Sequence, residues 1–456
     1  MDLEKLYLKL PGFLQEEVVK WQGKRIYDRR YGAGFNRIME ASQARLTFSP
    51  GQLADYRASR LSAHLKYAQH SPFWAERFQQ RSVNPDASDP FAELAKLPVL
   101  TKNEARTHAK DIQNPLFESS KLLRLHTSGT TGSGLVFQET ADSESERWAV
   151  WWRYRQKLGI SPEDLCGVFG GRCLVPLTQK KPPFWRHSPY TRQIFFSSQH
   201  LSQETFRAYL GQIELSNATW LHGYPSSLGL LASWMIDFGV SPPGCVKFLT
   251  VGAENLTQSN KQRIETAFGR PVYQHYGLAE STANFSQEPD GRIYVDEDFS
   301  CVEFLPSDHV ASCRVIGTNW HNPAFPLFRY DASDLCQVVA TAVNGPRSRE
   351  ILSIDGRLED TLILKNGAHI YRLDQLFADL TNIQEAQVRQ TKAGEAEFRI
   401  VKGRGYGAAD EAALAYEIKK RFGDLCDIRV IYVAELPRTA SGKLRLVISE
   451  IRASGA

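Results

Sequence analysis

Between residues 165 and 276 the sequence alternates short apolar runs with helical segments, and this alternation restricts the fold more than any other feature. The apolar runs have the length of β-strands and cover residues 165–169, 218–222, 246–251 and 272–276. Helical patterns separate them, as at residues 228–238 and 261–268. Strands joined through helices need right-handed crossovers within a largely parallel sheet. The sequence therefore predicts an α/β fold with mainly parallel strands flanked by helices.

Polar and glycine residues follow these predicted strands at the point where each strand ends. They are Gly170-Gly171-Arg172, His222-Gly223, Gly252-Ala253-Glu254 and Tyr276-Gly277-Leu278-Ala279-Glu280. Open parallel sheets bind ligands outside the carboxyl ends of their strands. The convergence of these residues predicts a small-molecule site at that edge of the sheet.

The rest of the chain indicates further structural regions. Residues 1 to 90 show helical spacing of apolar side chains, and residues 291–343 show short alternating strands typical of a small antiparallel sub-barrel. After a break at Asp355-Gly356-Arg357 the sequence reads as a small α+β unit. We therefore predict a large N-terminal domain at residues 1–355 and a small C-terminal domain at residues 356–456.

Composition narrows the class of partner. The 456 residues are 42% hydrophobic and 23% charged, as in soluble globular proteins, and the net charge is only +4. This balance argues against nucleic acid or a membrane surface as the main partner. No stretch has the length of a membrane span, and the start of the chain does not resemble a signal peptide. The seven cysteines form no C-x-x-C pair, so we expect neither structural zinc nor disulfides, and a cytoplasmic location.

Glycine and hydroxyl residues are most concentrated at residues 126–134, which read His-Thr-Ser-Gly-Thr-Thr-Gly-Ser-Gly. Such a loop presents backbone and hydroxyl donors without bulky side chains in front of them, which suits a polyphosphate. A Walker-type loop would need Lys-Ser or Lys-Thr directly after its last glycine, and this loop has neither. The alternative interpretation is an ordinary surface turn.

The loop, together with Leu135-Val136-Phe137, resembles the phosphate loop of the adenylate-forming superfamily of acyl-CoA synthetases, peptide-synthetase adenylation domains and beetle luciferases. The resemblance implies that the loop holds the β- and γ-phosphates of ATP, with Thr127 also taking part in catalysis. The implied phosphate-binding residues are Thr127, Ser128, Gly129, Thr130, Thr131 and Gly132. Many members carry a lysine where Ser133 stands, so here the neutralising charge must come from elsewhere.

Two further segments are similar to the nucleotide-binding motifs of the same family. Residues 276–282 resemble its Tyr-Gly-x-Thr-Glu segment, which implies that Tyr276 and Gly277 flank adenine and that Glu280 is a catalytic residue and the Mg²⁺ ligand. Ala279 stands where a hydroxyl residue is usual, and Ser281 is the candidate to replace that contact with the α-phosphate. Gly252, Ala253 and Glu254 resemble the turn on the adenine side.

The remaining motifs occur in the family's order. Residues 330–334 resemble the Tyr-Arg-Thr-Gly-Asp segment and imply that Asp334 binds both ribose hydroxyls, for which a carboxylate is suited. Asp331 and Ser333 depart from that pattern. Residues 356–360 resemble the family's hinge segment, which implies that Arg357 contacts nucleotide oxygens. Residues 436–443 resemble the loop that carries the family's catalytic lysine, which implies that Lys443 is catalytic.

The resemblance implies a two-step ligase that uses ATP and Mg²⁺ to turn a small carboxylic acid into an acyl-adenylate. The phenylacetate-CoA ligase and capsule-biosynthesis branch is the most similar one, so coenzyme A is the expected acceptor, with Gly367 in the Asn366-Gly367 hairpin leaving room for it. An amine or a carrier-protein thiol is the alternative acceptor. A second alternative, suggested by Ser133, Ala279 and Asp331, is an inactive member that acts as an assembly partner.

Overall fold

The computed structural model describes most of the chain. The described residues are 6–127, 135–170, 172, 174–307, 312–357, 362–365, 369–370, 373–377, 380, 382–439 and 443–451. Within them, no helix is long and apolar enough to cross a membrane.

Helices of the described residues occur throughout the chain, and several begin at residues that cap them. Ser49 accepts from the backbone N–H of Gln52, whose side chain returns the bond, and Thr101, Thr140 and Thr257 each cap a helix in the same way through a hydroxyl. The helices are α1 Gly12–Arg30, α2 Phe35–Ala44, α3 Pro50–Ala68, α4 Pro72–Arg81, α5 Pro90–Ala95, α6 Lys102–Thr107, α7 Ala109–Ile112, α8 Ala141–Lys157, α9 Phe206–Ser216, α10 Pro225–Asp237, α11 Gln258–Phe268 and α12 Ala408–Phe422.

The strands are short. They are β1 Leu123–His126, β2 Val136–Glu139, β3 Cys166–Gly170, β4 Trp185–Ser188, β5 Gln193–Ser197, β6 Trp220–Gly223, β7 Phe248–Gly252, β8 Val272–Gly277, β9 Asn284–Gln287, β10 Ile293–Val295, β11 Cys301–Pro306, β12 Cys313–Thr318, β13 Tyr330–Val338, β14 Glu350–Arg357, β15 Leu362–Ile363, β16 His369–Ile370, β17 Ile383–Lys392, β18 Glu395–Lys402, β19 Asp427–Tyr432 and β20 Val447–Ser449.

The chain folds into two compact units. The first unit contains Met1–Lys24, Pro162–Gln274 and Gly356–Ala456, and the second contains Arg25–Ser161 and His275–Asp355. The predicted division at residues 355 and 356 is a different partition of the chain, and it stays a prediction.

The first unit contains the predicted parallel strands. Its strand order is β4-β5-β3-β6-β7, with β8 beginning beside β7. Strands β5, β3, β6 and β7 pair in parallel, and β4 adds an antiparallel edge. Helices α9, α10 and α11 contribute Tyr209, Leu231 and Ile264 to the apolar core of this unit. The sequence thus predicted the fold class and the parallel strands correctly, but it gave no sign of β4 and β5.

The C-terminal part of the first unit has its own sheet and core. The strand order is β19-β18-β17-β20, in which β17 and β18 are antiparallel while β20 and β19 pair in parallel at the two edges. Helix α12 packs Leu414 and Phe422 into a core with Phe398. Strands β15 and β16 pair antiparallel on either side of the predicted turn, which itself lies outside the described residues.

The second unit contains the predicted antiparallel strands, in the order β11-β12-β13-β14-β10-β9, with β9 pairing with the end of β8. Helix α8 carries Arg153, which is almost fully buried and pairs with Asp296 at 2.8 Å and Asp298 at 2.6 Å. Arg45 pairs with the same Asp298 at 2.6 Å. Because each of these buried charges has an opposite partner, the network can fix the helices against the strands without leaving a charge uncompensated.

Candidate active site

Strands β8 and β13 of the second unit bring two predicted site residues together. The Tyr276 hydroxyl donates to Asp334 Oδ2 at 2.6 Å, and the Tyr276 ring stacks on Phe285 with a centroid distance of 4.6 Å. Burial, together with the Asp334 charge, raises the pKa of Tyr276 well above its usual range, so the phenol keeps its proton and remains a donor. The ring and the carboxylate are therefore held in a fixed relation, as adenine and ribose recognition would require.

Glu280 lies at the end of the turn after β8 and is nearly inaccessible, with 5% exposure. Its Oε1 accepts a hydrogen bond of 3.1 Å from the Tyr330 hydroxyl at the start of β13. Burial raises the pKa of Glu280, and the charge of Lys102 and the Tyr330 hydroxyl oppose that rise. A cation beside this carboxylate would offset the cost of its burial.

The donor set around Glu280 fits Mg²⁺ bound together with a phosphate substrate. Mg²⁺ commonly takes one or two protein carboxylates and completes its shell with waters and phosphate oxygens. Within the described residues, His, Cys, Asp and Glu form no group of three that could hold a metal on its own. A single buried carboxylate is the arrangement expected where the nucleotide supplies other ligands.

The turn that carries Glu280 is strained and is fixed from outside the motif. Ser281 has a φ of +58°, which is uncommon for a residue other than glycine, and its hydroxyl accepts from Arg147 Nη1 at 3.2 Å. The same nitrogen lies 3.3 Å from the Ala279 carbonyl, and Arg147 also forms a two-point ion pair with Glu139. The predicted contact of Ser281 with the α-phosphate stays a prediction, because the described partner of its hydroxyl is Arg147.

The two departures from the family pattern in residues 330–334 form a local structure. Asp331 Oδ1 accepts from the backbone N–H of Ser333 at 2.8 Å, which closes an Asx turn, and its other oxygen pairs with Arg314 from β12. Ser333 adopts a φ of +60° at this turn. Backbone strain of this kind concentrates at functional sites, and this strain lies next to Asp334.

A second group of predicted site residues lies in the first unit. Glu254 follows β7, and its carboxylate accepts from the backbone N–H of Ser226 at 3.1 Å and from that of Leu444 at 2.9 Å. Ala253 adopts a φ of +65° at the turn that presents it. Glu254 thus contacts the residue next to Lys443 in the chain.

Lys443 lies close to the start of α10. Its Nζ is 5.6 Å from the centroid of the Tyr224 ring, within the range of a cation–π interaction. The Lys443 N–H donates to Thr439 Oγ1 at 3.0 Å, and the Lys443 carbonyl accepts from the Thr439 N–H at 2.9 Å. The predicted catalytic lysine therefore sits on a loop whose base is closed by paired hydrogen bonds.

The end of β6 carries polar side chains at the edge of the sheet where the sequence predicts a small-molecule site. Thr250 on β7 is aligned with His222, and its hydroxyl lies 2.9 Å from His222 Nδ1 and accepts from Trp220 Nε1 at 2.8 Å. Gly223 leaves no room for a side chain, because a Cβ there would lie 2.5 Å from the Phe169 carbonyl oxygen. The carboxyl ends of β3, β6 and β7 are therefore packed closely and carry a polar cluster on one face.

Several predicted site residues fall partly or wholly outside the described part of the chain. Ser128, Gly129, Thr130, Thr131, Gly132 and Gly367 lie outside it, and of Arg357 only the backbone, at the end of β14, is described. Thr127 is described: its N–H donates to the Leu135 carbonyl at 2.9 Å, and its Oγ1 accepts from the Leu135 N–H at 3.0 Å. These bonds join the two ends of the predicted phosphate loop, and the binding roles of its residues stay predictions.

Sequence reasoning missed Arg147, Arg314 and the anchoring of Leu444 by Glu254. Arg147 lies 134 residues before Ser281 in the chain, and Leu444 lies 190 residues after Glu254. A motif shows residues close in sequence, so it gave no signal for either pair. For Arg314, the only available signal was the acidic residue at position 331, which calls for a basic partner.

Known proteins resemble this chain in sequence and in fold. Residues 362–450 match the family described as the CapK C-terminal domain. Protein CapK of Staphylococcus aureus is 23% identical over 459 residues, which cover 99% of this chain and 100% of that protein. Phenylacetate-coenzyme A ligase of Escherichia coli (strain K12) is 23% identical over 349 residues, which cover 71% of this chain and 75% of the ligase.

A solved structure shares the fold. The 2-hydroxyisobutyryl-CoA ligase in the postadenylation state, in complex with R3-HIB-AMP, matches with a TM-score of 0.65 and 19% identity, covering 86% of this chain and 89% of that one. The fold is thus the one that the sequence predicted from its resemblance to the adenylate-forming superfamily. In sequence the chain is homologous to CapK and to phenylacetate-CoA ligase.

Proposed function

We propose that this chain is an AMP-forming ligase that activates a small carboxylic acid with ATP and passes the acyl group to coenzyme A. In the first step the carboxylate attacks the α-phosphate, the bond to pyrophosphate breaks and an acyl-adenylate forms. In the second step the thiol attacks the acyl carbonyl, loses its proton, and AMP leaves. The names of phenylacetate-coenzyme A ligase and 2-hydroxyisobutyryl-CoA ligase support an acid and coenzyme A as the substrates.

One observation carries this proposal: two tyrosines link the two motif segments of the second unit crosswise. Tyr276, from the first segment, donates to Asp334 in the second, and Tyr330, from the second segment, donates to Glu280 in the first. Two carboxylates of low exposure are thereby fixed close to each other. Such a pair needs cations and hydroxyl donors, and MgATP supplies both through its metal and its ribose.

The roles of the remaining residues follow from the proposal. Mg²⁺ would neutralise phosphate charge when bound, and Glu280 would hold it. The loop from Thr127 to Gly132 would bind the β- and γ-phosphates, while Gly252, Ala253 and Gly277 would border adenine. Arg357 would contact nucleotide oxygens, and Lys443 would stabilise the charge that develops on the α-phosphate. Residues 356–456 would act as the mobile domain that carries Lys443 and the hairpin at Gly367.

Exchange of radiolabelled pyrophosphate into ATP, measured over a panel of carboxylic acids, tests the first step. We expect exchange with at least one acid and its loss in Asp334→Ala. Tight ATP binding without exchange for any acid would instead support the inactive assembly partner. Adding coenzyme A, an amine panel or a phosphopantetheine-bearing carrier protein to the active acid then identifies the acceptor. We expect the thioester of coenzyme A.

A further inference from the structure

We propose that Glu254 is a positioning residue that anchors the Lys443 loop at the start of α10 for the adenylation step. The inference rests on the proposed function and assigns Glu254 a role beyond the adenine-side contact expected from its motif. Its basis is that one carboxylate joins the backbone of two distant segments of the first unit, at Ser226 and at Leu444.

The first contact places the carboxylate at a helix N-terminus. Helix α10 begins at Pro225, which has no N–H, so the Ser226 N–H is the first donor of the helix and has no intrahelical acceptor. Glu254 Oε2 satisfies this donor at 3.1 Å. A carboxylate at this end of a helix is also stabilised by the helix dipole.

The second contact uses the other oxygen of the same carboxylate. Glu254 Oε1 accepts from the Leu444 N–H at 2.9 Å. Fixing this N–H fixes the peptide unit between Lys443 and Leu444, while the bonds between Thr439 and Lys443 fix the other side of the lysine. The backbone of Lys443 is therefore held on both sides, and only one of these restraints comes from outside its own loop.

The start of α10 receives the lysine side chain as well as its backbone. Tyr224 directly precedes the helix, and its ring lies 5.6 Å from Lys443 Nζ. The strained turn at Ala253, with φ of +65°, directs Glu254 to this place. The Glu254 carboxylate and the start of α10 thus both contact the Lys443 segment. Their function would be to hold the Lys443 ammonium group where adenylation needs it.

Other contacts hold the same region without Glu254, so its replacement should leave the fold intact. Arg438 forms an ion pair with Glu385, and Arg263 Nη2 donates to the Ile383 carbonyl at 2.7 Å. The first contact joins the segment before the Lys443 loop to β17, and the second joins the start of β17 to helix α11. Neither contact uses the Glu254 carboxylate or the Leu444 N–H, so both can persist when that anchor is lost.

Glu254→Gln tests the inference, because glutamine keeps the shape but offers one acceptor oxygen for two N–H donors. We expect the adenylation rate, measured as pyrophosphate release, to fall about 10- to 100-fold, the scale of one hydrogen bond to a charged group. The KM for ATP should stay within about twofold, and coenzyme A should consume supplied acyl-adenylate at the wild-type rate, since that step does not use the lysine. A raised KM with an unchanged kcat would overturn the inference in favour of the adenine contact, and so would equal loss of both half-reactions.

Glu265→Gln is the matched control. Glu265 also accepts from a backbone N–H in the first unit, that of Val272 at 3.1 Å, and its contacts among the described residues do not include Lys443 or Leu444. We expect this variant to keep both half-reactions. If it loses adenylation as Glu254→Gln does, the effect is one of general stability and the inference fails.

Hydrogen exchange of peptides that contain Leu444 gives a readout independent of activity. We expect Glu254→Gln to accelerate exchange of the Leu444 amide about tenfold or more, while Glu265→Gln leaves it unchanged. Unchanged exchange in Glu254→Gln would refute the anchor even if the enzyme is active. If Glu254→Gln accelerates this exchange but the wild-type chain adenylates no acid, the anchor is retained and the proposed function is rejected.

Discussion

The Tyr276 hydroxyl donates a hydrogen bond to Asp334 Oδ2 at 2.6 Å, which joins the strands β8 and β13. The counterpart bond, from Tyr330 to Glu280, runs in the opposite direction between the same two segments. Each segment thus supplies one carboxylate and one phenol that holds the other segment's carboxylate. The two acidic groups are therefore positioned before any ligand binds, which lowers the ordering cost of binding.

Replacing Asp334 should weaken nucleotide binding. In Asp334→Ala the two ribose hydroxyls lose a charged acceptor, and each such bond contributes about 1.5 to 3 kcal/mol. We expect the Kd for ATP, measured by calorimetry, to rise at least tenfold. Asp290→Ala is the control, because Asp290 is an exposed carboxylate paired only with Arg292 nearby in the chain. An ATP affinity within about twofold of wild type in Asp334→Ala would show that the ribose assignment is wrong.

Glu280→Gln should raise the Mg²⁺ concentration that the first step requires. A neutral amide is a poorer ligand for a hard cation than a carboxylate, and Tyr330 would still hold the side chain in place. We expect the half-maximal Mg²⁺ concentration for pyrophosphate release to rise about tenfold or more, the scale of one lost charged ligand. Glu118→Gln, at an exposed position, should leave the titration unchanged. A Mg²⁺ titration identical to wild type in Glu280→Gln would exclude the metal role.

Buried histidine should make the second unit sensitive to acid. His64 is 1% exposed and its ring lies 4.9 Å from that of Phe328, and burial lowers the pKa of His64 from 6.5 to about 3. The unfolded chain therefore binds a proton below pH 6.5 that the folded chain does not bind until about pH 3. The contribution of the neutral His64 to the free energy of unfolding is fully present above pH 6.5 and is lost progressively as the pH falls towards 3.

His64→Leu should accordingly reduce the pH dependence of unfolding. From the pKa difference, wild type should lose about 2 kcal/mol more than the variant on going from about pH 7 to about pH 5. Urea titrations at the two pH values measure this difference, and His70→Gln, at an exposed position, is the control. Equal losses in wild type and His64→Leu would contradict the prediction, whatever the absolute stability of the variant.

The sequence predicted those parts of the protein that depend on local patterns. The parallel strands of the first unit were predictable because each apolar run ends in glycine or polar residues, and β13 brings Tyr330 and Asp334 together because the motif is continuous. Strands β4 and β5 were missed because Trp185–Ser188 mixes aromatic, basic and polar residues without a clear period. These two segments are strands because β4 pairs with β5 and β5 pairs with β3, and the local sequence does not reveal this pairing.

The supports of the site could not be predicted for a different reason. Arg147 and Ser281 meet through tertiary packing of α8 against the turn after β8, so neither residue is marked within its own segment. The same holds for Arg314 and Asp331. The aspartate, which departs from the family motif, has a basic partner because β12 pairs with β13 and carries Arg314. Motifs thus predict which residues meet the ligand, whereas their supporting partners follow from the fold.

Lys443 offers the sharpest test of the proposed two-step reaction. Adenylation needs a positive charge where negative charge develops on the α-phosphate, whereas attack of a thiol on the acyl-adenylate needs no such contact from this residue. The ammonium group lies near the Tyr224 ring, and the loop is closed by Thr439 and anchored through Leu444. Removal of the side chain beyond Cβ leaves these backbone bonds in place, so Lys443→Ala should retain its loop structure and lose only the charge.

We therefore expect Lys443→Ala to separate the half-reactions. Pyrophosphate release with ATP and the acid should fall about 10²- to 10³-fold, the usual effect of deleting one contact that stabilises transition-state charge. Consumption of synthetic acyl-adenylate in the presence of coenzyme A should continue at close to the wild-type rate. Lys420→Ala, which removes an exposed lysine paired with Glu417 on α12, should change neither rate. If Lys443→Ala impairs both half-reactions equally, or neither of them, Lys443 is a structural or surface residue. The proposal that its charge serves adenylation alone is then wrong.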